Sequence, residues 1–95
     1  MAINRTKINK AAAFLKVISH PTRLEIIMHL QSKNELTVSE ICNKLGVEQS
    51  LVSHHLANMR KQGVLAANRD GINISYSIDD NRVPEIVGMM IHSKS

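Results

Sequence analysis

A chain of 95 residues has room for one hydrophobic core and no second domain. With 43% hydrophobic and 21% charged residues it is too apolar to stay disordered, and with Phe14 and Tyr76 as its aromatics it is poorly equipped to stack on single-stranded bases. A net charge of +4 favours a polyanionic partner, while the lone Cys42 and the lack of a leader-like or membrane-length apolar run predict a soluble, cytoplasmic protein with no internal disulfide.

Ile8, Ala11, Ala12, Leu15 and Ile18 recur at three- and four-residue spacings, which predicts an amphipathic helix from about Asn9 to Ser19. At Ser19-His20-Pro21-Thr22 the proline bars its predecessor from helical angles and itself suits a first helical turn. One helix therefore ends and a second begins there. Leu24, Ile27, Met28 and Leu30 are expected on the inner face of that second helix, which dissolves in the polar stretch from Gln31 to Glu35.

Thr37-Val38-Ser39-Glu40 reads as a capping box that opens a third, short helix. Val38, Ile41, Cys42 and Leu45 form its apolar face, with Cys42 a small core residue, and Gly46 supplies the backbone that stops it. Val47 and Glu48 alone separate that stop from a fourth helix, about Gln49 to Gln62. Its inner side carries Val52, Leu56 and Met59; its outer side carries Gln49, Ser50, Ser53, His54, Asn58 and Lys61. His55 falls on the side shared with Leu51 and is expected to serve packing.

After Gly63 the period changes to two, with Ile72, Ile74, Tyr76 and Ile78 alternating against polar residues. Asp70-Gly71 is a hairpin signal, and Val64 to Arg69 is the natural partner strand. A last helix has Pro84 in its first turn and Val83, Ile86, Val87 and Met90 as its stripe. The expected fold is mainly α with a two-stranded antiparallel hairpin, a winged helix-turn-helix of about five helices plus a β-wing.

Such an order of elements points to double-stranded DNA. A helix fits the major groove, and side chains at its N-terminal end reach base edges. Gln49, Ser50, Ser53 and His54 hold that end and can all form hydrogen bonds, while Arg60, Lys61 and Arg69 can reach flanking phosphates. Solvation alone would account for one polar helix face in isolation. The capped helix before it, the Gly46 turn and the wing after it set this one apart.

Ser19 to Ile27, reading SHPTRLEII, and Gln49 to Leu56, reading QSLVSHHL, resemble the ArsR/SmtB family of bacterial repressors, and so does the wing from Gly71 to Asp80. The resemblance implies a homodimer whose first and last helices pack across a two-fold axis, placing two recognition helices on a palindromic operator. Ala12, Leu15, Ile86, Val87 and Met90 are the residues expected at that interface. By position, the family's DNA contacts fall on Gln49, Ser50, Ser53 and His54. Glu48 stands where the family often carries serine, and a carboxylate there opposes close phosphate approach.

The family's metal-sensing positions are degraded here. Its cysteine pair corresponds to Thr37 and Ser39, which are hydroxyls, and its last-helix ligand set reads Asp79, Asn81, His92 and Ser95. The expected protein is a regulator, a repressor, with no cofactor, no metal site and no effector that the residues identify. Two other readings stay open: a weak zinc or divalent-metal sensor using Asp79 and His92, and a winged helix that docks a protein without touching DNA. An enzyme is disfavoured, because no carboxylate is placed to orient His54 beside Ser53.

Overall fold

The computed structural model describes residues 2–92. In chain order these form α1 (Arg5–Ile18), α2 (Pro21–Lys33), β1 (Leu36–Thr37), α3 (Val38–Leu45), α4 (Gln49–Lys61), β2 (Leu65–Asp70), β3 (Asn73–Ile78) and α5 (Arg82–Ile91). Helix α1 starts four residues ahead of the expected Asn9 because Asn4 caps it, its side-chain oxygen accepting the Lys7 N–H at 3.1 Å. His20 caps α2 in the same manner, Nδ1 accepting the Thr22 N–H at 3.1 Å with Pro21 at the first helical position.

The core is aliphatic, as the composition requires. Ile26, Ile27 and Leu30 from α2 meet Ile41 of α3, Val52, Leu56 and Met59 of α4, and Val64 and Leu65 at the base of the wing. Fully burying each such side chain contributes roughly 1.5–3 kcal/mol. Met28 departs from expectation and is exposed. It lies two residues from both Ile26 and Leu30, more than half a turn around the helix from each, so a stripe centred on those two turns Met28 outward.

The sheet has three antiparallel strands in the order β1-β3-β2, which corrects the expected two-stranded hairpin. The added strand pairs Leu36 with Tyr76 and Thr37 with Ser75. Two residues are too few to show a period, and Thr37 had its own reading as a helix cap. It performs both roles. The hairpin loop is also shifted by one residue: Asp70 still pairs with Asn73, so Gly71 and Ile72 form the turn. Gly71 adopts a φ of 64°, which suits the first position of a two-residue primed turn, and Ile72, expected on the buried face of the strand, is 97% exposed at the tip.

Helix α5 closes the molecule by burying Val83 and Val87, one turn apart, against the core. Val87 is 2% exposed and belongs to the interior of the chain, so it is not part of a surface open to a second copy. Ile86 and Met90, also one turn apart, fall on an adjoining stripe; Ile86 is half-buried and Met90 is 75% exposed.

Candidate nucleic-acid interface

The turn that presents α4 is built from local interactions. Thr37 Oγ1 accepts the Glu40 N–H at 3.2 Å, and Glu40 Oε1 accepts the Thr37 N–H at 2.9 Å, which completes the capping box of α3. The bond that the Thr37 backbone N–H donates to the carboxylate, and then the nearby Thr37 hydroxyl, hold the Glu40 carboxyl below the ordinary glutamate value. At the other end of α3 Gly46 takes a left-handed φ of 67° and its N–H bonds to the Cys42 carbonyl at 2.8 Å. The chain then enters α4 after two residues.

Val52, Leu56 and Met59 fix the inner side of α4 in the core, which leaves Gln49, Ser50, Ser53 and His54 exposed together over its N-terminal half. Arg60 and Lys61 are exposed at the far end, about 16 Å along the axis from Ser50. At that end the Gly63 N–H bonds to the Arg60 carbonyl at 3.0 Å and the Val64 N–H to the Met59 carbonyl at 2.9 Å, which turns the chain directly into the wing. Arg69 is exposed near the wing tip, paired with Ile74. The seven basic and hydrogen-bonding candidates thus form three groups: a polar reading end, a basic helix end and a single wing cation.

Two of the reading residues already have partners. The Ser50 hydroxyl donates to the Glu48 carboxylate, so Glu48 engages the next candidate contact as well as bringing negative charge to the helix start. His54 Nε2 lies 3.2 Å from the Asn58 amide nitrogen, which also donates to the His54 carbonyl at 3.1 Å. Asn58 therefore orients the imidazole, a role signalled in the sequence only by the four-residue spacing of the pair. Leu51, also exposed, places an apolar side chain among these polar ones.

His55 is turned inward, as expected, and is 4% exposed. Its Nδ1 accepts from Arg23 Nε at 2.9 Å, and Arg23 Nη1 donates to the Val17 carbonyl at 2.9 Å. Burial first, then the neighbouring His20, Arg23 and His54, hold the His55 pKa below the ordinary histidine value. No local spacing could have revealed Arg23 as the residue that holds α4 from behind.

Away from this face, Ala12 and Leu15 are exposed on α1, Leu15 by 48%. An open groove there is lined by Ala11, Phe14, Leu15 and Ile86 together with Lys7, Lys10 and Arg82. Arg82 lies 4.9 Å over the Phe14 ring and is gripped by both Asp80 oxygens, its Nη2 at 2.6 Å from Oδ2. Those bonds hold the Asp80 carboxyl below its ordinary value. Cys42 is half-buried with a free thiol, packed against the core.

The sequence pattern of the bacterial regulatory proteins of the arsR family matches residues 20–67, from the cap of α2 into β2. This chain belongs to the arsR family. It is 40% identical over 79 residues to the transcriptional repressor PagR of Bacillus anthracis, covering 83% of this chain and 79% of PagR. The crystal structure of PagR superposes with a TM-score of 0.83 at 37% identity, covering 92% of this chain and 99% of that one. The structure of NolR from Sinorhizobium fredii also gives 0.83, at 32% identity over 97% of this chain and 94% of NolR. The arsR-family chain is thus a winged helix-turn-helix protein of a family of DNA-binding transcriptional regulators, not enzymes. Among its described residues no helix is long and apolar enough to cross a membrane.

Proposed function

We propose that this arsR-family protein is a sequence-specific transcriptional repressor that binds a palindromic operator as a homodimer in the cytoplasm. The observation that carries the reading is the exposed cluster of Gln49, Ser50, Ser53 and His54 at the N-terminal half of α4, raised on a buried scaffold beside a wing that carries Arg69 near its tip. Hydrogen-bonding side chains at that end of a helix can read base edges in the major groove, and Arg60, Lys61 and Arg69 supply charge for phosphates. The similarity to PagR, a transcriptional repressor, supports repression.

The homodimer rests on α1 and α5, whose outer faces carry Ala12, Leu15, Ile86 and Met90 beside the groove at Phe14. A two-fold pairing of those faces in a single-domain protein would set two α4 helices on half-sites one turn of DNA apart. Metal has no part in this reading. Thr37 Oγ1 is committed to the helix cap, Ser39 offers a hydroxyl, and Asn81 offers an amide beside Asp79, a donor set that does not fit zinc or a soft metal. Ser95, the fourth position of the last-helix set, lies outside the described residues, and among those described no group of three or more His, Cys, Asp or Glu side chains is placed to hold a metal ion.

Selecting duplexes from a random-sequence library with the purified protein tests the reading. Enrichment of one inverted repeat, bound by two chains, is the expected result. Recovery of sequences without any shared pattern would contradict it and favour a protein-docking role.

A further inference from the structure

We propose that Arg23 and His55 form a proton-sensitive clamp that sets the seating of α4, so that protonating His55 withdraws the reading residues from their operator. This rests on the operator-reading role proposed for α4. The geometry is specific: one guanidinium spans two helices, its Nη1 on the Val17 carbonyl in the last turn of α1 and its Nε on His55 Nδ1 in the middle of α4, each at 2.9 Å. Arg23 itself sits in the first turn of α2. It therefore joins the helix proposed to face a second copy to the helix proposed to face DNA.

The bond has only one protonation state. Arginine keeps all its protons in a protein, so the pair exists only while Nδ1 carries a lone pair, and the His55 proton then resides on Nε2. A proton arriving at Nδ1 sets N–H against N–H and adds a cation in a site that is 4% exposed. The titratable and charged groups facing His55 all oppose that proton. Arg23 and His20 approach from the α2 side, with the His20 ring centroid 4.5 Å away, and His54 from α4 itself at 5.9 Å; α1 contributes the Val17 carbonyl through Arg23. Burial and these neighbours keep His55 neutral at neutral pH.

Nor is the clamp remote from the reading face. His54 adjoins His55 in sequence and is held by Asn58 one turn on, so a shift of α4 about His55 moves His54 and Ser53 directly. Acid ordinarily strengthens phosphate binding to any duplex, because it adds positive charge to the protein. The clamp predicts a different pattern: non-specific binding is kept while preference is lost.

The test measures anisotropy with a duplex selected at about pH 7.5 and with its scrambled counterpart, in steps toward acid over the whole range in which the helical spectrum is unchanged. In the unaltered protein the preference for the selected duplex should fall by about tenfold or more. In His55→Asn, whose amide oxygen can accept from Arg23 and does not titrate, the preference should persist in acid. Equal acid loss in His55→Asn would overturn the clamp. A second measurement is independent of DNA and of that variant's folding. Nitrogen NMR of the imidazoles should show His55 Nδ1 unprotonated at neutral pH, and Arg23→Gln should make His55 take its proton at higher pH. A protonated Nδ1, or no shift in Arg23→Gln, would overturn the proposal. Failure to select any duplex at neutral pH would count against operator reading, while the NMR titration would still decide the clamp.

Discussion

Leu36 lies opposite Tyr76 in the antiparallel ladder, so the residues that open the helix-turn-helix are stitched to the middle strand of the wing. Leu36 is also buried in the core. One short strand thereby fixes the wing relative to α3, and through α3 relative to α4. Leu36→Ala should cost about 2–5 kcal/mol, the range for a buried leucine truncated to alanine, measured by urea unfolding. A loss well under 1 kcal/mol would show that β1 does not organise the junction.

The capping box gives a second expectation, in which pH matters. Thr37→Ala removes the acceptor for the Glu40 N–H and should cost about 1 kcal/mol. The Glu40 carboxyl is held below its ordinary value in the folded chain, so its contribution is present above the unfolded glutamate value and lost as pH falls through the folded one. Melting curves across that acid range should show a smaller decline in Glu40→Gln than in the unaltered protein. Parallel curves would mean that the cap carries no pH-dependent stability.

The fold's local signals were legible in the sequence, and the non-local ones were not. Thr37, Glu40 and Gly46 act through bonds to residues three or four positions away, and their residue types declare those bonds. Leu51, whose side His55 was expected to share, is exposed, yet His55 itself is buried, three residues from Val52 and four from Met59 on the inner side of α4. Its partner Arg23 is 32 residues distant and left no periodic trace. Ile72 failed by one position, because Asp70-Gly71 marks a turn without saying which of its residues stays paired. Val87 failed for a different reason: α5 has adjoining stripes, Val83 with Val87 and Ile86 with Met90, and periodicity alone does not tell core from interface. Among the site residues, Gln49, Ser53 and His54 were readable as an exposed polar end, whereas the ties from Glu48 to Ser50 and from Asn58 to His54 emerge only from the folded geometry.

That distinction sharpens the expectation for the proposed dimer. Leu15→Glu changes an exposed residue of α1 and should give a folded monomer by sedimentation, with an unaltered helical spectrum. Val87→Glu instead buries a carboxylate in the core and should unfold or aggregate the chain. A dimer persisting in Leu15→Glu would move the interface away from this part of α1.

Zinc should leave operator affinity nearly unchanged. Allosteric release requires the metal to favour one conformation by roughly 1–3 kcal/mol, which needs a tight site to begin with. Asp79 and His92 do not supply four donors. If one zinc per chain weakened operator binding about tenfold, and Asp79→Ala abolished the effect, the metal-sensing reading would replace this one.

The most direct measurement compares base reading with charge in one titration series. Fluorescence anisotropy is recorded on selected and scrambled duplexes at several salt concentrations for three proteins: unaltered, Ser53→Ala with His54→Ala, and Arg69→Ala. Each good base contact contributes about 1–3 kcal/mol of discrimination, so the double variant should fall toward its non-specific affinity with little change in salt slope. Arg69→Ala should weaken both duplexes alike and make the log-log slope shallower by about 0.9. A double variant that keeps its full preference for the selected duplex would contradict the claim that α4 reads the operator.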